Sequence, residues 1–353
     1  MGVHSRFSWH GLNICSDIKG YFVKIIADKL KQGDEIRVIA PSMSMQIISK
    51  ENIALAVKVF ESLGLQVTFG KHVKEIDLLQ SSSVEGRIQD LNEAFSDKNV
   101  KGILTVIGGF NANQLLKYID YDLIKRNPKI FCGFSDITAL QNAIFHKTGL
   151  ITYSGPHFST FAMKQGFEYI LDYFKRIFFE NNKITVTQSQ QWADDAWFLN
   201  QENRTFYDNE GYWILHEGEA RGTIIGGSLS PFQLLHGTNY MPSLEKTILF
   251  LEADSIADGL DVVEFDRDLQ SVLHQPHFDQ VQALVIGRFE KKFKMDQQKL
   301  KFIIDSRREL KNIPIVANAD FGHTNPIFTF PIGGIGELKA YQGKVEIAYK
   351  EIE

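Results

Sequence analysis

The chain has 353 residues, of which 44% are hydrophobic, and a formal net charge of −5 at pH 7. This length and composition suit two globular domains, or one large one, with a sizeable core. The charges are dispersed and no apolar run reaches the ~20 residues of a membrane span, so the sequence predicts neither a nucleic-acid nor a membrane partner.

The first 25 residues and the cysteines bear on targeting. Residues 1–25 show no periodicity and neither the basic start nor the apolar stretch of a secretory signal, so we expect a poorly ordered extension. The chain has two cysteines, Cys15 and Cys132. That number excludes a disulfide framework in practice and favours a reducing compartment, and we expect a cytoplasmic protein.

From Asp28 onward, short apolar runs alternate with helical periodicity. The pattern predicts strands at 35–40, 66–69, 100–107 and about Ile130, and helices over 53–63, 88–95 and 114–118. Alternating strands and helices with apolar strands favour a parallel sheet covered on both faces. Ligand sites in such sheets lie at the carboxyl ends of the strands.

A candidate strand-to-helix elbow follows the Ile130 strand. Gly133 permits a sharp turn, Ser135 would stand at its tip, and an apolar helical pattern continues from Ile137. A serine presented in this way can attack a carbonyl, and the next backbone N–H would point at a nearby anion. The alternative is a turn serine that caps the following helix.

The second half of the chain has a mixed pattern. Residues 188–203 are polar around Trp192 and Trp197 and suggest a linker or surface excursion. Strands are predicted at 247–252, 281–286, 315–317 and 345–349, with a helix over 297–310. We therefore expect an N-terminal α/β domain over 26–185, a linker or extended loop over 186–222 and a second domain over 223–353.

Three further features lie at predicted strand ends. Gly108 and Gly109 would let backbone N–H groups approach a ligand closely, as an oxyanion hole requires, or would form a plain tight turn. Glu252 ends an apolar strand, and His323 lies in a glycine-flanked loop after another. The order Ser135, Glu252, His323 fits a nucleophile, an orienting acid and a base. Taken singly, the last two also fit a solvated charge and a structural histidine.

The sequence offers no motif for a metal or a nucleotide cofactor. It contains no His-Glu-x-x-His, no paired Cys-x-x-Cys and no phosphate-binding glycine loop, so we predict no metal and no cofactor. Cys132 precedes the turn glycine, and we expect it in the core. A cysteine enzyme that uses Cys132 as its nucleophile is the alternative.

Several segments together resemble the LD-carboxypeptidase family, serine peptidase family S66. They cover about residues 25–353 and are Ile107–Leu116, Gly133–Thr138, Gly226–Ser230, Leu249–Glu252 with Phe265–Arg267, and Gly322–Pro331. The resemblance implies an N-terminal parallel-sheet α/β domain carrying the nucleophile elbow and a C-terminal β-rich α/β domain carrying Glu and His. It also implies an active site between the two domains and a homodimer.

The resemblance implies a role for individual residues. Ser135 would be the nucleophile, His323 the general base and Glu252 its orienting partner. Gly109 and Asp136 would supply the backbone oxyanion donors. Substrate contacts would come from a further set: Gly108, Phe110, Asn111, Trp197, Trp192 and Ser228.

Within the family, the chain is most similar to the microcin C self-immunity carboxypeptidases. The Gly-Gly-Phe-Asn motif at residues 108–111 and the stretch 194–206 resemble the sequences of that branch. The segment after Glu252 lacks the short Pro-Tyr sequence that is typical of the murein enzymes. The implied substrate is a small peptide or an aminoacyl- or peptidyl-nucleotide, with Trp197 preferred over Trp192 for stacking on the base. Ser228 departs from the family's usual Asn, which affects specificity.

Two other functions stay open at this point. One is an LD-carboxypeptidase that trims murein tetrapeptide in cell-wall recycling. The other is a catalytically silent protein that binds a peptide or nucleotide.

Overall fold

A computed structural model describes residues 23–256 and 259–352. Most of the extension expected over 1–25 therefore lies outside the described residues. At its end, Ile25 forms a parallel bridge with Leu150. Within the described residues, no helix has both the length and the apolarity needed to cross a bilayer.

The first half of the described chain alternates strands and helices, as the sequence pattern predicts. Its elements are β1 Glu35–Ile39, α1 Lys50–Ser62, β2 Gln66–Phe69, α2 Val84–Ser96, β3 Val100–Thr105, α3 Tyr121–Arg126, β4 Ile130–Gly133, α4 Thr138–Thr148, β5 Thr152–Ser154 and α5 Glu168–Phe178. Side chains cap the early helices: the hydroxyls of Ser49 and Ser83 accept backbone N–H groups at the starts of α1 and α2.

The second half of the described chain contains the remaining strands and three α-helices. Its elements are β6 Ile184–Thr185, β7 Gln191–Trp192, β8 Tyr207–Asp208, β9 Trp213–His216, β10 Gly218–Ser228, α6 Leu229–Gln233, β11 Thr247–Glu252, α7 Asp261–Leu273, β12 Ala283–Gly287, α8 Gln297–Asp305, β13 Ile315–Ala319, β14 Phe330–Ile332, β15 Ile335–Tyr341 and β16 Lys344–Lys350.

These strands form two main sheets. The first has the order β14-β5-β4-β3-β1-β2 and is parallel except for β14. The second has the order β6-β16-β15-β10-β11-β12-β13-β9, with parallel pairing from β10 to β13 and antiparallel pairing elsewhere. The expected fold class, a parallel-sheet α/β domain followed by a β-rich α/β domain, is confirmed.

Two edge strands pair across the domain boundary expected from the sequence. β14 pairs with β5, although its residues follow those of the second sheet, and β6 pairs with β16 from within the expected N-terminal range. The domain ranges 26–185 and 223–353 stay a prediction, since the sheets exchange these edge strands. The exchange ties the halves together because each edge strand hydrogen-bonds across the expected boundary.

Helix α4 links the elbow to both sheets through buried polar side chains. Asn142 donates to the carbonyl of Gly226 over 2.8 Å and accepts from the N–H of the same residue over 3.1 Å. Gln141 donates to the carbonyls of Gly133 and Tyr153. Both side chains are fully buried, so these bonds fix the helix at one position between the sheets.

Some elements differ from the sequence prediction. The segment expected as a helix over 114–118 is a short 3-10 turn, Ala112–Leu115, because the chain here wraps against the elbow instead of forming an independent helix. The helix expected over 297–310 ends at Asp305, and a separate 3-10 turn follows at Arg308–Leu310. Helices α3, α5, α6 and α7 were not predicted.

Candidate active site

The elbow takes the shape that its sequence predicts. β4 ends at Gly133, and Ser135 begins a 3-10 turn that leads into α4. The backbone φ of Ser135 is +59°, a left-handed value that a residue with a side chain adopts only when its surroundings impose it. This strained turn directs the serine hydroxyl into a pocket.

Ser135, His323 and Glu252 meet although they are far apart in the chain. The Nε2 atom of His323 lies 3.0 Å from Oγ of Ser135, and its Nδ1 atom lies 2.8 Å from Oε2 of Glu252. Ser135 follows a strand of the first sheet. Glu252 ends β11 and His323 follows β13, both of the second sheet. The imidazole therefore bridges a hydroxyl and a carboxylate at the junction of the two sheets.

Two glycines make room for the buried carboxylate. A Cβ atom on Gly322 would lie 2.7 Å from Oε2 of Glu252, and one on Gly287 would lie 2.7 Å from its Cβ. Gly322 also has a φ of +106°, which side chains disfavour. Both positions therefore need glycine if Glu252 is to reach the imidazole.

Opposing effects set the charge of the imidazole. Burial lowers the pKa of His323. The carboxylates of Glu252, Asp254 and Glu290 together have a larger effect in the opposite direction, and they raise the pKa to about 9. The Asp254 carboxylate lies 3.9 Å from Nε2. Glu290 is buried, and the N–H of Ser255 donates to its carboxylate. The imidazole is therefore mostly protonated at neutral pH in the absence of a ligand.

The glycine pair lies against the serine. A Cβ atom on Gly108 would fall 2.9 Å from Oγ of Ser135 and 3.5 Å from the backbone N of Asp136. Gly109 has a φ of +148°, and a Cβ there would fall 2.3 Å from Oγ of Ser42. Within the described residues, the amides of Gly109 and Asp136 donate to no protein acceptor. They are free to bind a ligand oxygen near the serine.

A pocket of about 430 Å³ opens over these groups. Gly108, Gly109, Phe110 and Trp197 line it together with Ser135 and His323. The Phe110 side chain is 75% exposed. Of the six residues predicted to contact substrate, three lie on the pocket wall: Gly108, Phe110 and Trp197. Gly109, predicted as an oxyanion donor, lies there too.

The other three predicted contacts lie elsewhere. The side chain of Asn111 is buried behind the glycine loop, where its Oδ1 accepts from Arg87 and Ser81. Trp192 packs against Arg288 and Tyr207 instead of the pocket. Ser228 is buried beside Glu252 in the sheet, and its N–H donates to Thr138.

The segment expected as a linker or extended loop is anchored across the site. Asp195 forms an ion pair with Arg204, and the Asp194 carboxylate accepts from the N–H of Lys291. Ala193 forms a bridge with Asn325, two residues after His323. These contacts hold Trp197 at the pocket.

The pocket also contains residues that the sequence did not indicate, among them His157. His157 is buried next to the elbow, with its ring centroid 4.3 Å from that of Phe134 and its Nδ1 2.7 Å from Oγ1 of Thr105. Burial lowers the pKa of His157 to about 3, so the ring is neutral. Its sequence context, directly after Pro156, carries no signal of a strand end or glycine turn.

The structure also bears on the metal and cysteine alternatives. Within the described part of the chain, no group of three or more His, Cys, Asp or Glu side chains is arranged to hold a metal ion. Cys132 is fully buried, and burial raises the pKa of its thiol well above the usual value. A buried neutral thiol is a poor nucleophile, so the Cys132 alternative is set aside.

Comparison with protein-family models gives two matches. Residues 36–155 match the LD-carboxypeptidase N-terminal domain and residues 221–338 match the LD-carboxypeptidase C-terminal domain. The protein YocD of Bacillus subtilis, named as a carboxypeptidase, is 51% identical over 321 residues, which are 91% of this chain and 98% of YocD.

Solved structures agree with these matches. A MccF-like protein from Bacillus anthracis superposes with a TM-score of 0.92 at 54% identity, covering 93% of this chain and 99% of that protein. MccF in complex with glutamyl sulfamoyl guanosine superposes with a TM-score of 0.81 at 28% identity, covering 92% of this chain and 98% of MccF.

Gly322→Ala tests the tight fit around Glu252. The added methyl would push the carboxylate away from Nδ1, so we expect the pKa of His323 to fall from about 9 towards its ordinary value. An NMR titration of the imidazole measures this. Gly237→Ala is the matched control, because Gly237 has a φ of +73° but nothing within 4 Å of an added Cβ. An unchanged pKa in folded Gly322→Ala would contradict this account of the fit.

Proposed function

The chain belongs to the LD-carboxypeptidase family of serine peptidases, and on that premise we propose that Ser135, His323 and Glu252 form its catalytic triad. The observation that carries the proposal is the continuous path from hydroxyl through imidazole to carboxylate, with 3.0 Å and 2.8 Å steps. As a serine carboxypeptidase, the protein is an enzyme, so the alternative of a silent binding protein is set aside.

In the proposed reaction, the Ser135 hydroxyl attacks the carbonyl of the bond to be cleaved. Neutral His323 accepts the hydroxyl proton at Nε2 and then donates it to the leaving nitrogen, which departs as the amine or amide. Water attacks the resulting ester, with His323 again accepting and returning one proton. Glu252 accepts from Nδ1–H throughout, which fixes the tautomer and stabilises the imidazolium.

The amides of Gly109 and Asp136 are the proposed oxyanion donors. Both N–H groups border the serine and have no protein acceptor in the described residues. Donors aimed at the developing negative charge stabilise the tetrahedral intermediate, and the loss of one costs about 10²–10³ in rate.

The proposed substrate is a small peptide or an aminoacyl- or peptidyl-nucleotide, as in the microcin immunity enzymes. One support is that the structurally similar MccF binds glutamyl sulfamoyl guanosine. The other is Trp197, which lines the same pocket as Ser135 and offers an aromatic face. Stacking of a base on such a face is worth about 1–3 kcal/mol. Trp192, the second candidate, packs against Arg288 outside that pocket.

A murein tetrapeptide is the second candidate substrate. Among the described residues, the pocket is lined by four acids, Asp194, Asp195, Asp254 and Glu290, and by one lysine, Lys292. An acidic wall of this kind favours a substrate with an ammonium group, such as the side chain of diaminopimelate. The homodimer implied by the resemblance and the cytoplasmic location expected from the cysteine count stay predictions.

Ser135→Ala tests the assigned nucleophile. We expect the variant to lose hydrolysis of every substrate, because no other group replaces the attacking oxygen. The assay uses two substrates and detects the products by mass. The first is aspartyl sulfamoyl adenosine, an analogue of an aminoacyl-nucleotide, and the second is an L,D-tetrapeptide. Cleavage of only the first by the unaltered enzyme favours the nucleotide class, and cleavage of only the second favours the murein class. Full hydrolysis of either by Ser135→Ala would remove Ser135 from its role.

The pH dependence tests the base. His323 must be neutral to accept a proton, so kcat/KM should rise with pH to a midpoint near 9. Asp254→Asn removes a negative charge that favours the imidazolium, so the midpoint should move to lower pH. Asp194→Asn is the control: it alters the same pocket, but Asp194 is held at the N–H of Lys291. A midpoint that is the same in all three proteins would contradict the assignment.

A further inference from the structure

The carboxylate of Asp136 does not face the pocket but joins the elbow to the glycine loop. It is buried, and its Oδ2 accepts from Oγ of Ser42 over 2.5 Å and from the N–H of Ala112 over 2.8 Å. Ala112 lies three residues after Gly109. Asp136 would thus donate one oxyanion amide from its backbone, while its side chain holds the loop whose Gly109 amide would be the other donor.

Ser42 holds this loop from its other side. A Cβ on Gly109 would lie 2.3 Å from Oγ of Ser42, so that hydroxyl occupies the space where a side chain would be. The N–H of the next residue, Met43, donates to the carbonyl of Gly108 over 3.1 Å. Ser42 itself is fully buried. The turn after β1 therefore packs directly against the donor loop.

An outer layer holds the far end of the loop. Arg87 of α2 donates from Nη1 to both the carbonyl and Oδ1 of Asn111, each over 3.1 Å, and to the carbonyl of Pro41 over 3.3 Å. Ser81 donates to Oδ1 of Asn111 and to the carbonyl of Ser42. Arg87 and Asn111 are themselves buried, so these contacts are shielded from water.

We propose that Ser42 is a positioning residue that sets the distance between the two oxyanion amides by bonding the Asp136 carboxylate while packing against Gly109. Arg87 and Asn111 support it from behind. This inference rests on the proposed function, because it assumes that the amides of Gly109 and Asp136 bind the oxyanion. It also gives Asn111 a place in the network instead of a contact with substrate.

Oxyanion stabilisation depends steeply on geometry. Effective donors lie about 2.7–3.1 Å from the developing charge. A misplacement of about 1 Å in a catalytic group can cost roughly 10²-fold in rate. Removal of the Ser42 hydroxyl would leave both amides present but no longer held at a fixed separation. The cost should fall on the transition state and not on binding of the ground state.

Ser42→Ala tests the proposal, with Ser44→Ala as a matched control on the same turn. Ser44 is also buried, but its hydroxyl accepts from the N–H of Gln46 and does not contact Asp136. For Ser42→Ala we expect kcat to fall about 10- to 100-fold with KM changed less than about threefold, since the donors are displaced and not lost. The affinity for 1-aminoethylboronic acid, which forms a tetrahedral adduct with a serine, should weaken by the same factor.

The control should separate positioning from stability. Ser44 caps the 3-10 turn Met45–Ile47, and Ser44→Ala loses that cap. Its melting temperature should therefore fall while kcat and boronic acid affinity stay within about twofold of the unaltered enzyme. If Ser42→Ala does not fold, Ser42→Cys replaces it, because a thiol fills the site but is a weak donor, and its kcat and boronic acid affinity should fall together.

Three results would overturn the inference: a kcat for the Ser42 variant within about twofold of that for Ser44→Ala, a fall in kcat with unchanged boronic acid affinity, or a rise in KM alone. Failure of the proposed function looks different. In that case Ser135→Ala, assayed alongside, would retain hydrolysis whatever the Ser42 variant does.

Discussion

The imidazole of His323 can lie between Ser135 and Glu252 only if two separately built sheets meet at a fixed separation. The serine is presented by the first sheet, and the other two residues by the second. The molecule enforces this meeting with contacts that hold the halves together: the buried pair of hydrogen bonds between Asn142 and Gly226, and the edge strand β14 that crosses into the first sheet. The rest of the site depends on this constraint.

Charge and space are arranged around the same imidazole. Three carboxylates, of Glu252, Asp254 and Glu290, together raise the pKa of His323 against the opposing effect of burial. Because Gly322 and Gly287 have no side chain, there is room beside them for the carboxylate of Glu252. The proposed oxyanion donors, the amides of Gly109 and Asp136, are held by the glycine loop on one side and by the side chain of Asp136 on the other. A small number of short contacts therefore determines both the charge and the geometry of the site.

The sequence predicted what depends on local pattern. Strands β1 to β4, the elbow at Ser135 and the strand ends that carry Glu252 and His323 follow from short apolar runs and the residues that end them, whereas β5 was not predicted. The resemblance then assigned those residues their roles. Placement in three dimensions was harder. Asn111 and Ser228 lie in motifs that resemble the family, yet their side chains are buried, because their neighbours in space come from distant segments. The crossing of β14, the position of His157 and the separation of Trp197 from Trp192 depend equally on long-range packing.

The most direct measurement of the triad is covalent labelling of the full chain with a fluorophosphonate, followed by peptide mapping and by labelling rates across pH. The account predicts a single adduct, on Ser135, that forms faster as pH rises through about 9, where His323 becomes neutral. An adduct on another residue, or a folded protein whose Ser135 does not react at any pH, would contradict it.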